Sequence, residues 1–389
     1  MSAADTPAAS PQAERDALDE SVVEDGRGVR SPLFLAGLAV VLLGALVARW
    51  LAVEVPTWTD GAASWLADIG ANVDYPVYAV LAGLLLNAVL HGAGLRDRLA
   101  AGFRTEFFIK TGLVVLGSTV LLSVIVDAAA RSVLQGVLLI SGVFAFTWWF
   151  AGRLGVDDKL RALLATAVAV CGVSAAIAAA GAVRARREQL AYAAGLVIVF
   201  ALPSIFVLPA LADWFGLSDA VAGAWFGGNI DTTAAVTAAG AIQGDDALQI
   251  AAIVKGTQNA LIGFVAIGLT AYFAFKVDRG AEKPRAIELW HRFPKFVLGF
   301  VVASIVATLW LDQISDAARV DEIKNVTKVF STYFFTLAFV AIGLEFKVKP
   351  LRDAGWRPVA AFGAATVFNL ALALLLASVL FHGFELPST

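Results

Sequence analysis

Apolar positions along this chain fall in long runs separated by short charged stretches. The runs are Leu33–Ala48, Pro76–Leu90, Thr111–Val126, Val133–Ala151, Leu160–Val183, Leu190–Leu211, Ala220–Ile242, Ala247–Phe275, Phe296–Leu311, Val326–Leu344 and Val359–Leu380. None alternates like a barrel strand, and each approaches the about 20 residues with which a helix crosses the hydrocarbon of a bilayer. The pattern predicts an all-α integral membrane protein with about 9–11 membrane helices and a single polytopic domain over residues 33–383. Its core segments are expected at about 103–275 and 326–383. Residues 1–32, acidic and without an aromatic, read as a disordered tail.

Loop charges orient the spans. Basic clusters follow the second run (Arg96, Arg98, Arg104, Lys110), the fourth (Arg153, Lys159, Arg161), the eighth (Lys276 to Lys295) and the tenth (Lys347 to Arg357). The loop after the first run is acidic, with Glu54, Asp60, Asp68 and Asp74. This predicts a prokaryotic cytoplasmic membrane protein with a cytoplasmic N-terminus and an external C-terminus. Two runs disturb the alternation. Leu160–Val183 has basic residues on both sides, and Ala220–Ile242 has acidic residues on both sides. They are either re-entrant hairpins entering from opposite faces or broken helices that cross. Crossing would move Arg184, Arg186 and Arg187 to the outside, so the charge pattern favours hairpins.

The same two runs resemble each other. Ala175–Val183 (AAIAAAGAV) lies over Ala234–Ile242 (AAVTAAGAI), and each follows a glycine break with polar residues, CGVS at 171–174 and GGNIDTT at 227–233. A second echo joins Gly112–Gly117 to Ala338–Leu344, in spans of opposite expected direction. Opposed related segments are the mark of an inverted-topology repeat. Small residues also serve close helix packing, so self-similarity alone decides nothing. Here the glycine breaks, the polar clusters and the topological oddities coincide.

Composition narrows the function. Hydrophobic residues make up 59%, charged residues 16%, and mean hydropathy is +0.78, which excludes a water-soluble enzyme. A net charge of −3 with no basic stripe excludes a nucleic-acid partner; the bilayer is the expected surrounding. One cysteine and three scattered histidines leave no disulfide framework and no soft-metal site. No phosphate-binding glycine loop, His-Glu-x-x-His or Gly-x-Ser-x-Gly motif occurs, so neither ATP-driven pumping nor enzymatic activity is expected. No cofactor is implied beyond a coupling ion.

A helix broken at membrane depth must face protein or a water-filled cavity, and its free N-terminus suits an anion. Cys171, Gly172, Ser174, Gly228 and Asn229 are therefore candidate substrate-binding positions. Asp231 is an acid within an apolar run and the leading ion-coupling candidate. With Asn229, Thr232 and Thr233 it supplies oxygens suited to Na⁺, Asp231 and Thr232 first among them, while alone it could carry a proton. Lys255 either neutralises Asp231 or contacts the substrate, with Gln258 and Asn259 about one turn further on. Lys110, Ser118 and Thr119 are weaker candidates. These features point to a secondary transporter for a small anion coupled to Na⁺ or H⁺. The alternatives are a cation/proton antiporter without an anionic substrate, a channel, or an intramembrane enzyme.

The string Cys171-Gly172-Val173-Ser174-Ala175-Ala176 is similar to a signature of the YeiH-type family of integral membrane proteins, named as sulfate exporters. The resemblance extends to Gly112–Thr119, 227–242, Ala252–Lys255 and Gly343 through Pro358. It implies kinship with elevator-type cation/proton antiporters and bile-acid-type symporters, a moving core that carries both broken segments, and a homodimer. This chain departs from the family pattern, a His-Glu/Asp-x-Ala-Gln-Val string, with Asp231-Thr232-Thr233-Ala234-Ala235-Val236. It also has Gln258 where a basic residue is common. Those differences point to an anion other than sulfate, or to Na⁺ in place of proton coupling.

Overall fold

A computed structural model of the chain describes residues 32–59, 73–272, 290, 293–346 and 355–386. Apart from Pro32 the acidic tail lies outside them, as do most of the basic loop 276–295 and residues 347–354. The described chain is helical, and seven stretches are long and apolar enough to cross a membrane. The helices are α1 (Pro32–Thr59), α2 (Tyr75–Gly92), α3 (Thr105–Gly117), α4 (Leu122–Arg153), α5 (Asp158–Ala169), α6 (Val173–Val183) and α7 (Arg187–Phe215). They continue with α8 (Asp219–Asn229), α9 (Thr233–Gln243), α10 (Asp245–Ala260), α11 (Ile262–Tyr272), α12 (Lys295–Leu311), α13 (Ala317–Glu345) and α14 (Trp356–Leu380).

Local chemistry sets these boundaries. Asp157 caps α5 by accepting from the N–H groups of Lys159 and Leu160, and Asp74 does the same for Tyr75 at the start of α2. Thr232 caps α9, its Oγ1 accepting from Ala235 N at 3.1 Å. The run Thr111–Val126 is not one span: α3 stops at Gly117, and α4 begins at Leu122. The tight turns there bond Ser118 Oγ to Val115 O and Thr119 Oγ1 to Leu116 O, so these two hydroxyls serve their own backbone. A single-residue break at Leu261 likewise divides Ala247–Phe275 into α10 and α11.

Both odd runs are hairpins. Lys159 Nζ, at the start of α5, donates to Arg184 O beyond the end of α6 at 3.0 Å. Gln189 at the start of α7 binds Asp157 Oδ1 at 2.7 Å, so both arms of the first hairpin begin at one end of α7. At the other end of α7, Asp213 Oδ1 accepts from Gln243 at the end of α9 at 2.8 Å. The second hairpin, α8–α9, therefore starts from the opposite end of the bundle. Arms of 11 or 12 residues rise only about 17 Å, half a bilayer, so the two tips meet near mid-depth.

The helices segregate into two bundles. In one, α13 packs against α1, α2 and α3, with α12 on α3. In the other, both hairpins pack with α4, α7, α10, α11 and α14. Every residue of α8 from Ala220 to Asn229 is buried, whereas α1 presents Leu35, Leu43, Leu46 and Val53 outward. Short broken helices thus lie inside protein and full-length ones meet lipid. Few contacts join the bundles; the closest is that of α9 with α13. An ion pair between Lys328 of α13 and Asp245 of α10 spans them at the end where the second hairpin begins.

If both segments are hairpins from opposite faces, cysteines introduced at Arg186 and Ser218, in a Cys171→Ser background, react with an impermeant maleimide from opposite sides of the membrane. Labelling of both from the same side would rule out the arrangement.

Candidate functional site

The turn between α5 and α6 is Val170-Cys171-Gly172, and Gly172 has φ +63°. A Cβ there would meet Val197 Cγ1 at 2.6 Å and Asp231 O at 3.2 Å. Glycine alone suits that backbone and lets the first tip close onto the second. The second tip is Ile230-Asp231-Thr232. A Cβ on Gly228, just before it, would meet Gln135 Nε2 at 2.6 Å and Leu139 Cδ1 at 2.7 Å.

Two helices end at this junction, α5 and α8, leaving carbonyls that no water-poor interior tolerates unpaired. Three side chains supply the donors. Gln258 Nε2 bridges the tips, donating to Ala169 O at 3.0 Å and Gly228 O at 3.3 Å. Asn369 Nδ2 of α14 repeats the bridge, to Val168 O at 3.4 Å and Asn229 O at 3.1 Å. Lys255 Nζ donates to Val170 O at 2.7 Å and to Gln258 Oε1 at 2.8 Å. Its positive charge thus sits on the negative end of α5. A further amide, Gln135 of α4, donates to Ala224 O of α8 at 2.8 Å.

The N-termini of the returning arms, α6 and α9, face a cavity of about 540 Å³ between the two bundles; Thr232 Oγ1 takes the Ala235 N–H of α9, and the other first-turn N–H groups have no acceptor within their own helices. Its inner end is lined by Cys171, Ser174, Thr232, Thr233 and Asn259, and its outer end by Thr105, Glu106, Lys110, Phe293 and Glu345. Lys110 and Glu106 pair at 3.0 Å. Asn259 Nδ2 donates to Thr233 Oγ1 at 3.0 Å, and its buried Oδ1 has no partner.

The sequence-predicted residues divide by position. Cys171, Ser174, Thr232, Thr233 and Asn259 reach the cavity; Gly172 shapes the tip, and Gly228 presents a carbonyl. Lys255 and Gln258 are fully buried and absent from the cavity wall, so they hold the tips. Asp231 is 4% exposed, and no hydrogen bond or ion pair joins it to Lys255 among the described residues. Asn229, two residues before it in the chain, is buried with Oδ1 unpartnered. No group of three or more His, Cys, Asp or Glu that could hold a metal ion occurs among the described residues.

The family model described as Conserved hypothetical protein 698 matches residues 36–362. The chain belongs to that family. Similar relatives include a UPF0324 membrane protein of Rhodopirellula baltica, 37% identical over 91% of this chain and 64% of the relative. A UPF0324 membrane protein of Nitratidesulfovibrio vulgaris is 35% identical over 90% of this chain and 60% of its own length. One of Streptococcus agalactiae is 26% identical over 84% of this chain and 95% of its own. This chain thus spans under two thirds of the length of the first two relatives. No solved structure matches it. With relatives of these names and seven membrane-length helices, this family member is a multi-pass membrane protein.

Asn369 and Gln135 were not among the residues singled out from the sequence. Their signal was present: each is a lone amide within an apolar stretch, where an unpaired polar group is costly. Asn369→Ala strips two buried carbonyls of their donor and is expected to destabilise the protein by about 1–3 kcal/mol. Thr366→Val, whose hydroxyl bonds within its own helix to Phe362 O, should change little. Thermal unfolding in detergent checks both, and equal effects would remove the bridging role.

Proposed function

We propose that this protein is a secondary transporter of a small anion that works by alternating access, with the bundle carrying both hairpins moving against the other. One observation carries the reading: the N-termini of two broken helices open onto a single cavity between two bundles. Free N–H groups and partial positive charge favour an anion there, in a setting where unpaired backbone must meet a ligand or water. The bridges through Gln258 and Asn369 tie both tips into one body, so the site would travel as a unit. The cavity opens toward the end that carries Lys110 and the start of α12, while Lys328 and Asp245 join the bundles at the other end. By the positive-inside rule the open end is the cytoplasmic one.

Asp231 is the proposed coupling site. It is a buried carboxylate at the second tip, next to the anion-facing turn. A proton could occupy it directly. For Na⁺ the fitting oxygens are the Asp231 carboxylate and the unpartnered Asn229 Oδ1, whereas Thr232 Oγ1 already caps α9. The same buried carboxylate favours a second reading, cation/proton exchange without an anionic substrate.

In proteoliposomes, Asp231→Asn should lower ion-driven anion accumulation at least tenfold and leave anion binding within about threefold of the parent. Undiminished accumulation would exclude Asp231 from coupling. Ion exchange that proceeds at full rate with no anion present would instead establish the antiporter reading.

A further inference from the structure

The polar and apolar parts of the cavity are sharply divided. Ser174, Thr232, Thr233 and Asn259 gather at the hairpin tips. Beyond them Ile198 and Leu202 of α7 are partly exposed in the cavity wall, with Ala201 and Ile205 more deeply buried in the same wall. Their spacing of i, i+3, i+4 and i+7 makes one continuous apolar stripe on that helix. Ile262 of α11 and Phe296 of α12 close the wall opposite. A hydrated inorganic ion gains nothing from such a wall, and about 540 Å³ is far more room than it needs.

Charge limits the cargo as well. A helix N-terminus is worth about half an elementary charge, so α6 and α9 together offer about one. Among the described residues no unpaired side-chain cation lines the cavity. Lys255 is spent on Val170 O and Gln258 Oε1 and is absent from the cavity wall, and Lys110, the basic residue among the described lining, is paired with Glu106. Glu345 in the same lining and the Asp231 carboxylate at the second tip further disfavour a multiply charged anion. At the same inner end Asn259, over nine-tenths buried, gives its Nδ2 to Thr233 Oγ1 and its unpartnered Oδ1 is an acceptor, so the donors left for an anionic head are the first-turn N–H groups of α6 and α9.

We infer that the cargo is a monovalent organic anion, a carboxylate or sulfonate with a compact apolar body, its head at the hairpin tips and its body along the α7 stripe. This rests on the anion-transport reading and narrows it. The stripe, not the tips, then sets selectivity.

The test is isothermal titration of the purified full-length protein with sodium salts of formate, acetate, butyrate, isovalerate and butanesulfonate, and with sulfate, at matched ionic strength. Affinity should rise about fourfold for each methylene that reaches the stripe. Sulfate should bind at least tenfold more weakly than isovalerate. Ala201→Phe, which fills the stripe, should weaken isovalerate at least tenfold and leave formate within about twofold. Formate binding as tightly as isovalerate would overturn the apolar-body assignment, and sulfate binding as tightly would overturn the monovalent one. The series in the unaltered protein decides both even if Ala201→Phe does not fold. Binding of none of these anions would refute the anion-transport reading itself, a result separate from either.

Discussion

Stopping two helices halfway through a membrane leaves their last carbonyls where water cannot reach them, and the rest of this protein is arranged around meeting that demand. Lys255, Gln258 and Asn369 meet it at the meeting point of α5 and α8. Because Gln258 and Asn369 each give one N–H to either tip, the solution also fastens the two hairpins to each other. Each unpaired carbonyl would otherwise cost about 1–3 kcal/mol, so the side chains needed for stability also determine the site's geometry. The other half of the asymmetry is only partly closed, by the Thr232 cap on α9. The C-terminal halves of the breaks are capped by side chains, while the N-terminal halves of α6 and α9 face the cavity.

That division explains why the same residues read differently in the sequence and in the structure. Lys255 invites pairing with Asp231 or with a ligand, since a buried cation wants an anion. The observed partner is instead a helix end, a negative partial charge that no residue letter records. Asn259, one position past Gln258, points the other way, into the cavity. The hairpin character of both segments was legible, because loop charge reports topology directly; the meeting of Lys159 with Arg184 and of Gln243 with Asp213 agrees with it. Asn369 was visible only as an isolated amide in an apolar run, since its partners lie at sequence separations of 140 and 201. The break after Gly117 was hidden because the short link 118–121 is itself apolar enough to extend the run.

Placement of the cavity between bundles, and not inside one, connects packing to the proposed mechanism. Within the hairpin bundle, small residues allow close approach, as at Gly223 and Gly227 against the backbone of α10. Between the bundles contact is sparse and falls largely on the alanine-rich α9. A smooth, weakly joined boundary beside a tightly fastened body is the arrangement that lets one body slide on another without breaking its own hydrogen bonds. Lys328 and Asp245, both exposed, close the far end with a pair that is inexpensive to open.

Relative motion of the two bundles is the central claim, and a cross-link at that pair tests it most directly. Asp245→Cys with Lys328→Cys, in a Cys171→Ser background, should form a disulfide that arrests transport in proteoliposomes. Reductant should restore the rate to that of the uncross-linked protein. Transport at an undiminished rate with the disulfide fully formed would contradict alternating access by movement of the hairpin bundle.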